Sequence, residues 1–101
     1  MKSPTVQPLI SVLIPVGERH ADARELLGEY LPALDALGTP YELIVVLDGP
    51  RSEFAEQLQA LVAGGLRATV VRMSKPFGES TALMAGFEQA TGSILLTLPA
   101  Y

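Results

Sequence analysis

Thiol chemistry is absent from this chain and imidazole chemistry nearly so: its 101 residues contain no cysteine and a single histidine, His20. Disulfide staples, thiolate metal sites, cysteine nucleophiles and any mechanism needing two imidazoles are excluded. The groups left to do chemistry are carboxylates, cations and turn residues placed directly after short apolar runs. Asp48, followed by Gly49, closes the run Tyr-Glu-Leu-Ile-Val-Val-Leu. A carboxylate there can accept a hydrogen bond from a nucleobase N–H or a ribose hydroxyl; it can equally form an Asx turn or cap the next helix. Arg72 and Lys75 flank the exit of a later apolar run, where they can face a diphosphate or be two exposed surface charges. Glu18 and Arg19 read as a solvated turn pair, and His20 as a residue near a helix start. The turn Pro15-Val16-Gly17-Glu18-Arg19 lacks the glycines of a dinucleotide fingerprint and the lysine of a phosphate loop. Met73, Phe77, Met84 and Phe87 read as core and loop packing.

The elements that must position these residues follow from periodicity. Residues 9–14 form a β-branched and leucine run that reads as a strand buried on both faces and ended by Pro15. Between residues 21 and 37, Ala23, Leu26, Leu27, Tyr30, Leu31, Leu34 and Leu37 follow the spacing of one helix face, with a kink or break expected near Tyr30 because of Pro32. Residues 41–47 are a second strand. Ser52 can cap a helix that turns Phe54, Leu58, Leu61 and Val62 inward. Residues 67–73 contain a third strand, residues 79–90 a helix, and residues 93–98 a fourth strand. The alternation β-α-β-α-β-α-β predicts a single Rossmann-like α/β domain over residues 1–101, a three-layer α/β/α sandwich on a four-stranded parallel sheet with right-handed crossovers. In such sheets ligands bind beyond the carboxyl ends of the strands, which selects the loops at 15–20, 48–51, 74–78 and 99–101.

Seven basic against eleven acidic residues give a net charge of −4, which argues against nucleic acid as a partner. The chain is apolar for a soluble domain, with 49% hydrophobic and 18% charged residues and a mean hydropathy of +0.32. No secretory signal pattern or membrane-length apolar run occurs, so the expected location is cytoplasmic.

Read together, the loops resemble family 2 glycosyltransferases of the GT-A fold, in particular the polyprenyl-phosphate group. The family's opening S-V-V-I-P-V-Y-N-E is matched by Ser11-Val12-Leu13-Ile14-Pro15-Val16-Gly17-Glu18, and its Y-E-I-I-V-V-D-D-G-S by residues 41–50, ending Leu47-Asp48-Gly49-Pro50. Its N-F-G-x-x-A-A-L-x-A-G is matched by residues 76–86, from Pro76-Phe77-Gly78 to Ala85-Gly86, and its A-x-G-D by Ala90-Thr91-Gly92-Ser93. The resemblance implies the nucleotide-binding half of a hexosyl transferase that takes a UDP- or GDP-linked sugar and passes it to an acceptor such as a polyprenyl phosphate, with peripheral membrane attachment of the full-length protein. It places Pro15, Val16, Asp48 and Gly49 at the nucleoside, sets Glu18 one position from the first motif's acid, and brings Lys75 and Gly78 near the nucleotide.

The chain also departs from the pattern. The metal-holding D-x-D expected after the fourth strand reads Pro99-Ala100-Tyr101, and the first acid of D-D-G-S is Leu47. A divalent cation needs oxygen ligands, so no metal site and no catalytic residue is carried over. The family's acceptor-binding strands and catalytic base lie beyond this point of the pattern. The expectation is therefore a piece or remnant of a longer transferase, not competent alone and prone to self-association through an uncovered apolar face. The competing expectation is a non-catalytic scaffold that kept the fold and lost the donor site.

Overall fold

A computed structural model describes residues 8–101. Its elements run β1 (Ile10–Val16), α1 (Ala23–Ala36), β2 (Tyr41–Leu47), α2 (Ser52–Ala63), β3 (Thr69–Arg72), α3 (Glu79–Gln89) and β4 (Ile94–Thr97). The four strands form one sheet in the order β3-β2-β1-β4, parallel throughout, with Ile10 opposite both Tyr41 and Ile94 and Ile44 opposite Thr69. The Rossmann-like α/β/α sandwich is thus the observed architecture.

Side-chain alternation along the strands builds the layers. Val12, Ile14, Val16, Leu43, Val45 and Leu47 point to one face, where they pack with Leu26, Leu27 and Leu34 of α1 and Phe54 and Leu58 of α2. Leu13, Ile44 and Val46 point to the other and meet Ala82 of α3. Gly86 makes that second contact close: a Cβ there would lie 2.8 Å from Leu13 Cδ2 and 3.2 Å from Val46 Cγ2. Asp22 joins the two helices of the first layer. Its carboxylate caps α1 by accepting from the Arg24 N–H (2.8 Å) and the Glu25 N–H (3.2 Å), and also accepts from Gln57 Nε2 of α2 (2.7 Å). These bonds hold Asp22 below the ordinary carboxylate range, the Glu25 amide contributing most.

Neither proline ends its element. β1 does not stop at Pro15 but pairs with β2 through Val16. The Leu13 carbonyl accepts from the Leu98 N–H and the Val16 carbonyl from the Asp48 N–H, so odd-numbered residues of β1 turn their backbone groups toward β4 and even-numbered ones toward β2. Pro15 therefore aims its missing N–H at β4, whose pairing with β1 has already ended at Leu13–Thr97. No ladder bond is lost. In α1, Pro32 sits inside an unbroken helix. Pro32 and Gly28, whose carbonyl loses its partner, are both exposed, so water takes the freed acceptor.

Three further expectations are corrected. Val62 is 39% exposed instead of turned inward, and Phe77, Met84 and Phe87 lie on the surface. Ser52 does not cap α2: Arg51 is the capping residue and makes no side-chain capping bond. Apolar spacing marks a helix face but does not say whether a further layer lies over it. Here α3 packs on β1, β2 and β3, which leaves Met84 on its outer surface and the edge strand β4 with Ile94 and Leu95 half exposed.

Candidate functional site

The sheet order creates the site. From β1 the chain steps to β2 and on to β3, then crosses back to place β4 on the opposite side of β1. Right-handed crossovers in opposite directions put α1 and α2 on one face and α3 on the other. The loop leaving β1 turns to the α1/α2 face, where the segment after β4 joins it through the bond from the Ala21 N–H to the Ala100 carbonyl, while α3 starts on the other face, and a crevice opens at the carboxyl ends of these strands. A cleft of about 180 Å³ lies there, lined by Pro15, Gly17 and Arg19 after β1, Asp48 after β2, Glu79 at the start of α3, and Tyr101 after β4.

Asp48 organises one wall. It is only 5% exposed, and its Oδ1 accepts from the Phe77 N–H (2.8 Å) while Oδ2 accepts from the Gly78 N–H (3.1 Å). Gly78 is the residue that caps α3, so Asp48 of the second motif holds the loop of the third and satisfies an amide at a helix start. This is neither the Asx turn nor the cap of α2 that its position suggested; the partner loop is 29 residues away in sequence. Gly49 is required beside it. Its φ is +92°, and a Cβ would lie 2.9 Å from Pro76 Cδ and backbone N, so the β2–α2 turn and the β3–α3 loop approach too closely for any side chain.

The other expected residues separate into two groups. Pro15 joins Asp48 in the cleft. Val16 is fully buried in the α1/α2 layer, and its carbonyl accepts the Asp48 N–H at 2.9 Å, so it positions Asp48 with its backbone while its side chain faces away. Glu18 is exposed in the loop after β1 and is not part of the cleft lining. Lys75 is exposed as well, with Nζ 5.4 Å from the centre of the exposed Phe77 ring. Gly78 reaches the site through its bond to Asp48. His20 packs its ring edge-on against Phe54 at 5.3 Å, a structural role. Arg19, Glu79 and Tyr101, which carried no distinct signal as site residues, complete the lining because three separate segments converge.

The residues at the expected metal position do not fit a divalent cation. Pro99 and Ala100 supply no carboxylate, and their carbonyls are engaged: Pro99 O accepts from the Tyr30 hydroxyl and Ala100 O from the Ala21 N–H, each at 2.6 Å. Among the described residues no group of three or more acidic or histidine side chains could hold a metal. The cleft can accept hydrogen bonds at Asp48 and Glu79 and donate from Arg19, a set suited to polar recognition of a nucleoside or sugar.

Comparison with known proteins identifies the family and the fold. The family model for glycosyl transferase family 2 matches residues 11–100. The undecaprenyl-phosphate 4-deoxy-4-formamido-L-arabinose transferase of Pseudomonas paraeruginosa is 39% identical over 93 residues, 91% of this chain and 27% of that protein. The enzyme of the same name from Edwardsiella ictaluri is 36% identical over 97 residues, 95% of this chain and 30% of that one. The chain thus spans less than a third of the length of these relatives. Among solved structures, the mannosyltransferase PcManGT of Pyrobaculum calidifontis, in complex with GDP-Man and Mn²⁺, superposes with a TM-score of 0.73 at 23% identity, covering 95% of this chain and 28% of that one. TarS of S. aureus superposes with a TM-score of 0.66 at 20% identity, covering 90% and 27%. With its motifs in register on a matching fold, the chain belongs to glycosyl transferase family 2.

Proposed function

We propose that this chain forms the donor-binding part of a glycosyltransferase, holding a UDP- or GDP-linked sugar in the cleft between the carboxyl ends of β1 and β4. The observation that carries this reading is the convergence of Pro15, Asp48 and Glu79, from three separate family motifs, on one cleft at the point where the sheet order reverses. Pro15 and the backbone of Val16 shape the floor, Arg19 reaches the phosphates, and Asp48, beside Gly49, keeps the loop of Lys75 and Gly78 against the site. The acceptor is a polyprenyl phosphate, supported by the relatives named for undecaprenyl phosphate. Those names point to a 4-substituted L-arabinose, a pentose, in place of the hexose expected from the motifs. Acceptor activation falls to parts of the relatives' length that this chain does not match, with peripheral membrane attachment of the whole transferase; no helix among the described residues is long and apolar enough to cross a membrane.

The test is a titration of the chain with UDP, GDP and their sugars, with and without Mn²⁺, read by calorimetry and amide shifts. Expected is metal-independent binding with shifts at Gly17, Arg19 and Glu79, weakened by Arg19→Gln. A second reading, a scaffold that kept the fold alone, is favoured by one observation: the two carbonyls of the former metal segment are tied to Tyr30 and Ala21. Absence of binding at millimolar nucleotide, both here and in a chain extended to the relatives' length, selects the scaffold.

A further inference from the structure

A second cleft opens beside the first, between the carboxyl ends of β2 and β3, with a volume of about 210 Å³. In a chain of net charge −4 its lining contains two arginines, Arg51 and Arg72, two hydroxyls, Ser52 and Ser74, and no carboxylate. The first cleft, by contrast, sets Arg19 against two acids. The register explains how the cations meet. Leu47 stands opposite Arg72 at the last rung of the β2–β3 ladder, and the Met73 N–H donates to the Leu47 carbonyl at 3.0 Å. The two strands therefore end side by side, and Arg72, the last residue of β3, meets Arg51 of the loop after β2 in one cleft. Arg51 is held at its root, because Nε donates to the Asp48 carbonyl at 2.9 Å. That bond uses one of the five guanidinium donors and leaves the four on the terminal nitrogens. Paired guanidinium groups with neighbouring hydroxyls match the tetrahedral oxygens of phosphate.

We infer that this second cleft is a phosphate-binding site, in which Arg51 and Arg72 clamp a phosphate or diphosphate group and Ser52 and Ser74 donate to its remaining oxygens. It is independent of the nucleotide-sugar reading and shares with the first cleft only the Asp48–Gly49 turn. The phosphate can be free in solution or carried on a lipid headgroup, and two arms of one experiment separate these sources. The first titrates the labelled chain with sodium phosphate and pyrophosphate against sodium chloride at matched ionic strength. Expected are saturable amide shifts at Ser52, Arg72 and Ser74, weakened about tenfold or more by Arg72→Gln and partly restored by Arg72→Lys, the scale of losing a charge-assisted hydrogen bond. Arg72 is exposed, so its variants test the site without disturbing the fold; Arg51→Gln is scored beside them with its melting temperature as a folding control. The second arm measures co-sedimentation with phosphatidylglycerol and phosphatidylcholine vesicles. Binding to phosphatidylglycerol alone, displaced by pyrophosphate, assigns the headgroup; phosphate binding without vesicle binding assigns the soluble source. The inference is overturned by no saturable shift in the first arm, by shifts unchanged in Arg72→Gln, or by vesicle binding that pyrophosphate does not displace. Arg19→Gln should leave every one of these readouts unchanged, which keeps a failure here separate from a failure of the donor cleft.

Discussion

Replacing Asp48 by alanine should destabilise the domain through the β3–α3 loop, even though that loop lies on the surface. The carboxylate accepts from the amides of Phe77 and Gly78 at 2.8 and 3.1 Å. A hydrogen bond to a charged group contributes roughly 1.5–3 kcal/mol. Phe77 and Gly78 are exposed, so their released amides can turn to water, and the lower end applies to each: a loss of about 3 kcal/mol in all. For a domain of this length that is a fall in Tm of roughly 12–24 °C. Asp48→Asn keeps one acceptor oxygen but turns an NH₂ group toward the other amide, so it should lose about half as much or more. Urea denaturation measures the first quantity, and amide hydrogen exchange at Phe77 and Gly78 locates it. Equal stabilities for Asp48 and Asp48→Ala within about 0.5 kcal/mol, the scatter of ordinary surface substitutions, or unaltered exchange at both amides, would refute the clamp. The result also bears on ligand studies: lost nucleotide binding in Asp48→Ala does not place Asp48 on the ligand, whereas loss in Arg19→Gln with unchanged stability implicates the cleft itself.

At the opposite end of the sheet, burial pulls the Glu42 carboxyl upward, but donors from the Ser11 hydroxyl, the Thr91 amide and hydroxyl and the Gly92 amide outweigh it and hold it below its ordinary value of 4.5. Its stabilising contribution is present above pH 4.5 and is lost as the pH falls through the lowered value; Glu42→Gln should remove this part of the acid-unfolding slope, and an unchanged slope would refute the assignment. Gly86→Ala should destabilise by about 1 kcal/mol, as overpacking of roughly 1–3 kcal/mol against Leu13 and Val46 exceeds the roughly 1 kcal/mol gain in helix propensity; thermal melts decide the sign. The uncovered Ile94 and Leu95 should make the isolated chain self-associate, seen as a sedimentation coefficient that rises with concentration and is lowered by Leu95→Lys; a concentration-independent monomer would refute it.

β1 and β2 were legible because parallel strands buried on both faces read as continuous apolar runs, and the edge strands β3 and β4 kept short apolar runs although they are largely exposed. The prolines misled for the converse reason: the effect of Pro15 and Pro32 depends on where one missing N–H points, which is a property of neighbours and not of the local run. The site was legible only in part. Asp48 stood out by its place after a strand, but its partners are the amides of Phe77 and Gly78, and a backbone donor leaves no mark on residue type. Arg19, Glu79 and Tyr101 belong to three separate segments and become neighbours only once β4 takes its place beside β1.

That placement also bears on how a family member can lack the acidic pair after its fourth strand. A carboxylate pair facing a diphosphate needs a cation between them, since two acids against two phosphates repel. With Pro99 and Tyr101 at the two acid positions, that repulsion is absent, and the segment is nonetheless held in place. Ala100 is buried to 1% exposure in the α1/α2 core, and Tyr30 and Ala21 tie the carbonyls of Pro99 and Ala100 to α1 and the loop before it. In the proposed donor role the positive charge that a metal would have supplied has to come from side chains, and the donor cleft offers it at Arg19. Arginine stays charged at any working pH, so nucleotide affinity in this chain should fall with ionic strength and stay flat on addition of EDTA. A titration that instead responds to EDTA and not to salt would mean that a cation does sit between the chain and its ligand.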